Sequence, residues 1–184
     1  MQPTLYFVGD YPRATVIRSR ILWPGGRRSL INATKKIITV SQGSVAANFN
    51  SPIIPAMIAF KVRSDVLVVV ALGKKGLLCH DLLPHCKVLV TNGGYGAFQH
   101  TISNRTPLVI AGAGEEKPEV AARAKWVDIG INLRTGSPKP EEVRTAVEEI
   151  VNNGKYRVSG SELEEERYNP IEEVRKSIDE LAGG

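Results

Sequence analysis

The residues whose types and spacing best suit chemistry are Asn92, Gly93, Gly94, Tyr95, Gly96 and Ala97. They follow the apolar run Val88-Leu-Val, and Phe98 and Ile102 then mark one face of a helix. The stretch reads as a buried strand, a turn with three glycines and a helix start. Glycine removes the side chain where backbone must bend sharply or approach a ligand closely. Free N–H groups and the dipole at a helix N-terminus both favour negative charge. The chemistry implied is a phosphate held by backbone amides. A turn of this kind also serves tight strand-to-helix packing, and both readings stand on the residues alone.

Two further loops have residues suited to the same task. Ser41-Gln-Gly-Ser44 follows the strand-like Lys36–Val40, and Gly112 to Lys117 follow the strand-like Pro107–Ala111. Lys117 by itself is a solvated lysine at a helix start. Ala111-Gly-Ala-Gly114 begins a dinucleotide fingerprint, but Lys117 stands at the last glycine position, so close approach of a ligand fits better than NAD binding. Cys79-His80 and His85-Cys86 lack the paired spacing of common structural zinc sites, which favours packing or surface roles and no metal.

The elements that must position these loops alternate between strand and helix. Leu5–Val8 is a short strand in an otherwise irregular stretch broken by Pro3, Pro12, Pro24 and Gly25-Gly26. Asp65–Ala71 is apolar without alternation, as strands buried on both faces are. Helices are expected after Ser51-Pro52, with the serine as cap and the proline at the first position, and from Ala97. Others are expected at Pro118–Val127, Pro140–Val151, Ser159–Arg167 and Pro170–Leu181, with a helical turn at Asp81–His85 and a brief strand at Ile131–Leu133. The fold class is α/β, an open parallel Rossmann-like sheet flanked by helices. Ligands of such sheets bind beyond the carboxyl ends of the strands, where all three loops lie.

Composition narrows the classes. A 184-residue chain with 42% hydrophobic residues builds one ordinary core. No apolar run approaches the roughly 20 residues of a membrane span. Two cysteines and a start without a signal-peptide pattern point to the cytoplasm. The net charge of +5 is uneven: Arg13, Arg18, Arg20, Arg27, Arg28, Lys35 and Lys36 meet only Asp10 in the first 36 residues, while Glu162 to Glu166 begin an acidic end. Without interleaved aromatics, a zinc pattern or a recognition helix, this basic arm does not indicate nucleic-acid binding. An anionic ligand, or pairing of a basic with an acidic face, accounts for it equally.

Leu82-Leu-Pro-His85 followed by Val88-Leu-Val-Thr-Asn-Gly-Gly-Tyr-Gly96, and Thr106-Pro-Leu-Val-Ile110 followed by Glu116-Lys-Pro-Glu-Val-Ala-Ala-Arg123, carry a family resemblance. The chain resembles the C-terminal, donor-binding lobe of two-lobed (GT-B) glycosyltransferases of the macrolide-type and fungal or bacterial UDP-glycosyltransferases. The resemblance runs from Leu5-Tyr-Phe-Val-Gly9, which is similar to the strand before the interlobe linker, to the end of the chain. It implies an interlobe-linker-like segment at 1–36, a nucleotide-sugar donor domain at 37–158 and C-terminal helices at 159–184.

The resemblance also implies roles. Ser41, Gln42, Gly43 and Ser44 stand where the family's first strand delivers a loop to the donor diphosphate. Asn92 replaces a diphosphate-contacting histidine, and its amide can donate to an anionic oxygen. Gly93 belongs to the same turn. Gly94, Tyr95, Gly96 and Ala97 match the helix start whose backbone holds the phosphates, although many members carry Trp-Asn-Ser for the last three. His100 stands in place of a ribose-binding glutamate. Glu116 and Lys117 match an Asp-Gln pair that contacts the sugar, with a cation in place of an amide.

No cofactor or metal is implied, and the donor substrate is a UDP- or dTDP-sugar. The family's catalytic base is a histidine oriented by an aspartate in the acceptor lobe, and none of His80, His85 and His100 matches it. The chain is therefore expected to hold the donor for a hexosyl transfer whose acceptor site and base come from an acceptor-lobe polypeptide. The stretch Leu72–His80 is shorter than the family connection, and its shortening is expected to remove a central or near-central sheet element and the segment that meets the nucleobase. That feature supports the alternative, a non-catalytic nucleotide-binding module or remnant.

Overall fold

The computed structural model describes residues 5–8, 20–21, 35–42, 51–71, 82–114 and 117–165. Seven strands form one parallel sheet: β1 (Leu5–Val8), β2 (Arg20–Ile21), β3 (Lys36–Ser41), β4 (Val66–Ala71), β5 (Val88–Thr91), β6 (Leu108–Ile110) and β7 (Gly130–Asn132). Their spatial order is β2-β1-β4-β3-β5-β6-β7. Among the described residues five helices accompany them: α1 (Ile53–Phe60), α2 (Tyr95–Ser103), α3 (Lys117–Trp126), α4 (Pro140–Asn152) and α5 (Lys155–Glu165). A single 3₁₀ turn at Leu83–His85 precedes β5.

Burial explains the uniform apolarity of the central strands. Every residue of β4 is buried, and so is every residue of β5. Successive side chains point to opposite faces, so each such strand feeds two cores. On one face Ile38, Val40, Val68, Val70 and Val90 pack against α1 and α4 through Ile53, Phe60, Val143, Val147 and Ile150. On the other, Leu108 and Ile110 meet Phe98 of α2, Val120, Ala121 and Ala124 of α3, and Ile129. Full burial of one Val or Ile is worth roughly 1.5–3 kcal/mol. That far exceeds the few tenths of a kcal/mol by which β-branched residues differ in helix or strand preference. Polar bonds then fix the layers: Arg144 Nε donates to the Ala59 carbonyl at 3.0 Å, and Arg157 donates to the Cys86 carbonyl at 2.6 Å.

The helix starts differ from expectation. α1 begins after Ser51-Pro52, but Pro52 itself is the N-cap, with no side-chain cap, and its carbonyl receives the Ala56 N–H at 3.1 Å. The Ser51 carbonyl instead accepts from the Gln42 side chain, and five buried residues hold the helix without a serine cap. α2 begins two residues before Ala97, because Gly94 with ψ 149° caps it and Gly96 enters the first turn. α4 opens at Pro140 as read, and Glu142 reaches back to the Lys139 N–H at 2.7 Å. α5 starts at Lys155, four residues before Ser159, because Tyr156 packs into the first core.

The sheet is continuous around β4. A loss of a central element after Leu72 was expected, yet β3 pairs directly with both β4 and β5. The other edge of β4 is taken by β1 in parallel register, Leu5 opposite Val68 through Val8 opposite Ala71. A strand buried along its whole length requires hydrogen-bond partners on both edges. Here the start of the chain supplies one of them. The additional pairing of Arg20–Ile21 with β1 was not legible as a strand. The helical stretch at 170–181 lies outside the described residues.

Candidate donor site

The strands end at one level. Ser41 is opposite both Ala71 and Thr91, Thr91 is opposite Ile110, and Ile110 is opposite Asn132. The residues that follow them, among them Gln42, Asn92 and Ala111, therefore share the carboxyl edge of the sheet. That edge is where the crossovers of a parallel sheet leave room for a ligand.

At its centre lies the turn into α2. Gly93 has φ +84°, a left-handed conformation that side chains disfavour, and a Cβ there would sit 2.5 Å from Ile110 Cγ2. Gly93 is thus required by the protein itself. Gly94 and Gly96 are not: a Cβ on Gly94 would meet only Asn92 Oδ1 at 4.0 Å, and one on Gly96 would meet nothing within 4 Å. Both φ values are outside the left-handed region, which here holds Gly93 alone among the described glycines. Glycine inside a helix costs roughly 0.5–1 kcal/mol relative to alanine. Gly96 carries that cost with no packing reason.

The helix start is open to solvent. Tyr95 and Gly96 are exposed and Gly94 is half-buried. No side chain caps α2, and its first turn contains no acidic residue. The Ala97 N–H donates back to the Gly94 carbonyl at 3.0 Å, so Ala97 offers the ligand no free amide in this arrangement. The N–H groups of Tyr95 and Gly96 are those that helix geometry leaves without an upstream helical carbonyl. The Tyr95 hydroxyl accepts from Gln99 Nε2 at 2.8 Å along the same helix face.

Asn92 ties two loops together. Its Nδ2 donates to the Gln42 carbonyl at 2.6 Å, and the Gln42 side chain donates to the Ser51 carbonyl. Gln42 is 4% exposed, so it braces the site from beneath. One N–H of Asn92 is spent on this brace. The loop after β6 packs against the turn: a Cβ on Gly112 would lie 1.9 Å from the Asn92 carbonyl oxygen and 2.9 Å from Lys117 Cδ. The Lys117 carbonyl in turn lies 3.8 Å from where a Gly93 Cβ would be.

The structure thus brings Gln42, Asn92, Gly93, Gly94, Tyr95, Gly96, Ala97 and Lys117 to one edge. His100 sits one turn beyond Gly96 on α2, half-buried, and its carbonyl accepts from Asn104 Nδ2 at 2.7 Å. Gly43, Ser44 and Glu116 lie outside the described residues. Sequence reasoning brought the Gly112 to Lys117 loop to this edge, and the structure adds that Gly112 is demanded by the Asn92 backbone. Sequence reasoning missed the loop after β7, which closes in where a Gly136 Cβ would touch Ala113 Cβ at 3.4 Å. The signal for that loop was present in Thr135-Gly-Ser-Pro138, an ordinary turn composition.

Cys86 belongs to the core. Its Sγ lies 2.7 Å from Thr39 Oγ1 and donates to the Leu82 carbonyl at 3.1 Å. Burial pushes its pKa up to about 12, so it stays a neutral thiol. Cys79 and His80 lie outside the described residues. No described helix is long and apolar enough to cross a membrane.

Comparison with known proteins gives this geometry a family. Residues 70–181 match the family model described as Erythromycin biosynthesis protein CIII-like, C-terminal domain. UDP-glucosyltransferase 1 of Beauveria bassiana (strain ARSEF 2860) is 37% identical over an alignment of 198 positions that covers 97% of this chain and 43% of the relative. For 4'-demethylrebeccamycin synthase of Lentzea aerocolonigenes the identity is 32%, covering 100% of this chain and 46% of the relative. Among solved structures, spinosyn forosaminyltransferase SpnP superposes with TM-score 0.68 at 14% identity, covering 91% of this chain and 48% of that one. Spinosyn rhamnosyltransferase SpnG complexed with thymidine diphosphate gives TM-score 0.68 at 13% identity, covering 85% and 49%. These last two likenesses establish the fold. The chain spans less than half the length of the relatives it matches.

Proposed function

We propose that this chain, which belongs to the Erythromycin biosynthesis protein CIII-like C-terminal domain family, is the donor-binding half of a glycosyltransferase. It holds a UDP- or dTDP-sugar while an acceptor hydroxyl attacks the anomeric carbon. The new glycosidic bond forms as the bond to the diphosphate breaks, with inversion. The base that takes the hydroxyl proton belongs to an acceptor lobe. The present chain contributes the electrostatic part: preorganised donors aimed at charge that grows on the departing diphosphate.

The observation that carries this reading is the pair Gly94 and Gly96. The fold leaves space for a side chain at both, yet both are bare at an exposed helix N-terminus on the carboxyl edge. Close approach of a ligand to the backbone explains that. The amides of Tyr95 and Gly96 face the diphosphate, Asn92 keeps one N–H for it, and Gln42 braces Asn92. Gly43 and Ser44 are assigned to the diphosphate by the family resemblance. His100 takes the ribose, with one acceptor nitrogen where a carboxylate would have two oxygens. Glu116 is the residue that the family resemblance assigns to the sugar. A cytoplasmic setting is part of this reading, and the free thiol of Cys86 in the core agrees with it.

The experiment is calorimetric titration with UDP and dTDP. Wild type should bind more tightly than millimolar, beyond about −4 kcal/mol. Gly94→Val should weaken binding while leaving the melting temperature within a few degrees, since its Cβ has room. Equal, millimolar-or-weaker binding by both proteins refutes the site. The second reading, a nucleotide-binding module without catalysis, is favoured by the short connection after Leu72. It is separated by adding a separately expressed acceptor lobe and following sugar transfer by mass spectrometry. Turnover only in the mixture supports the donor half, and turnover by the chain alone refutes the assignment of the base to another lobe.

A further inference from the structure

Lys117 is set against the glycine turn by two contacts. Its side-chain stem crosses the backbone of Gly112, with Cδ 2.9 Å from the position of a Gly112 Cβ, and its own carbonyl borders Gly93. Gly112 in turn abuts the Asn92 carbonyl. The ammonium is two bonds beyond Cδ, so the charge lies close to the residues that lead into α2. Lys117 is half-buried, and it is the first residue of α3.

A cation at that place has the wrong sign for its own helix, because a helix N-terminus already carries partial positive charge. α2 also begins on this edge, and its first turn contains no acidic residue. The first turn of α3 carries one acid, Glu119, which pairs with Arg123 at 2.6 Å, so the N-terminus of α2 and the Lys117 ammonium both bring positive charge to this loop cluster. A neutral sugar hydroxyl needs none of this charge. A diphosphate needs it twice, in the bound donor and again as the bond to the anomeric carbon breaks and the electron pair leaves with the phosphate oxygen.

We propose that Lys117 binds the diphosphate of the donor rather than its sugar, as the cation that neutralises the leaving group. This rests on the donor-site reading above. Lysine suits the role as a compact point charge on a flexible stem, able to follow the phosphate as it departs.

The test is titration of the 184-residue chain and of Lys117→Gln and Lys117→Arg with UDP, UMP and UDP-glucose at two salt concentrations. Lys117→Gln should lose about tenfold or more in affinity for both UDP and UDP-glucose. The loss should be smaller for UMP, which lacks the second phosphate. Lys117→Arg should retain most of the affinity. The decline of UDP binding with added salt should be shallower in Lys117→Gln than in wild type. Melting temperatures identify any variant that fails to fold, and the Arg variant supplies the comparison in that event. UDP affinity within twofold of wild type in Lys117→Gln overturns the proposal. So does a loss confined to UDP-glucose, which would mark a sugar contact. Absence of UDP binding to wild type overturns the donor-site reading and this proposal together.

Discussion

Gly93→Ala tests whether the turn is built as described. Two costs follow from the geometry. The residue has φ +84°, where a Cβ approaches the following carbonyl, and this costs about 1–2 kcal/mol for an L-residue. The new Cβ would also stand 2.5 Å from Ile110 Cγ2, well inside contact distance. Ile110 is fully buried between β6 and the α2–α3 layer, so it cannot swing into solvent. Overpacking of this kind costs typically about 1–3 kcal/mol. The sum is roughly 2–5 kcal/mol, a large share of the 5–15 kcal/mol that an ordinary domain has. With a urea slope of about 2 kcal/mol/M, the unfolding midpoint should fall by roughly 1–2.5 M. The assay is equilibrium urea denaturation followed by circular dichroism, with Gly94→Ala as the control. Gly94 has φ −64° and open space, so its alanine variant should stay within about 0.5 kcal/mol of wild type. A loss below about 1 kcal/mol in Gly93→Ala, or equal losses in the two variants, would refute the reasoning.

Three other outcomes are expected. In a Cys79→Ser background, Cys86 should resist a thiol reagent at pH 8 until urea unfolds the protein, because burial raises its pKa from 9.0 to about 12; rapid labelling of the native protein would contradict its place in the core. The same raised pKa gives a stability contribution that is complete below about pH 9 and lost as pH climbs toward 12, since the unfolded chain releases the proton first, so Cys86→Ala should flatten the alkaline fall in the urea midpoint. For nucleobase selectivity, UDP, dTDP and GDP should bind within about tenfold of one another, a spread near 1.4 kcal/mol. A hundredfold preference would mean that a segment other than the short Leu72–His80 connection reads the base.

Much of the α/β pattern was legible because parallel strands buried on both faces must be apolar throughout. Val66–Ala71 and Val88–Thr91 announce themselves in this way. The turn at Asn92–Gly96 was legible for a similar local reason: glycine and asparagine are the residues that bent or closely approached backbone tolerates. The start of α4 was marked by Pro140, whose missing N–H costs nothing in a first turn.

What the tertiary structure decided were the partners. Leu5–Val8 reads as a strand, but nothing local says that it flanks Val66–Ala71, the strand whose following connection was expected to cost the sheet a central or near-central element. Asn92 reads as a phosphate donor, and only the meeting of β3 with β5 shows one of its N–H groups bound to the Gln42 carbonyl. Three glycines in one turn look alike in sequence. Only the position of Ile110, seventeen residues after Gly93 in the chain yet adjacent in the sheet, shows that the fold requires Gly93 and leaves Gly94 and Gly96 to the ligand. Local sequence biases φ, ψ and the buried face of each element through sterics and desolvation. Which atoms then lie within contact or hydrogen-bond distance depends on how strands pair across the whole sheet, and that is settled by burying all the elements at once.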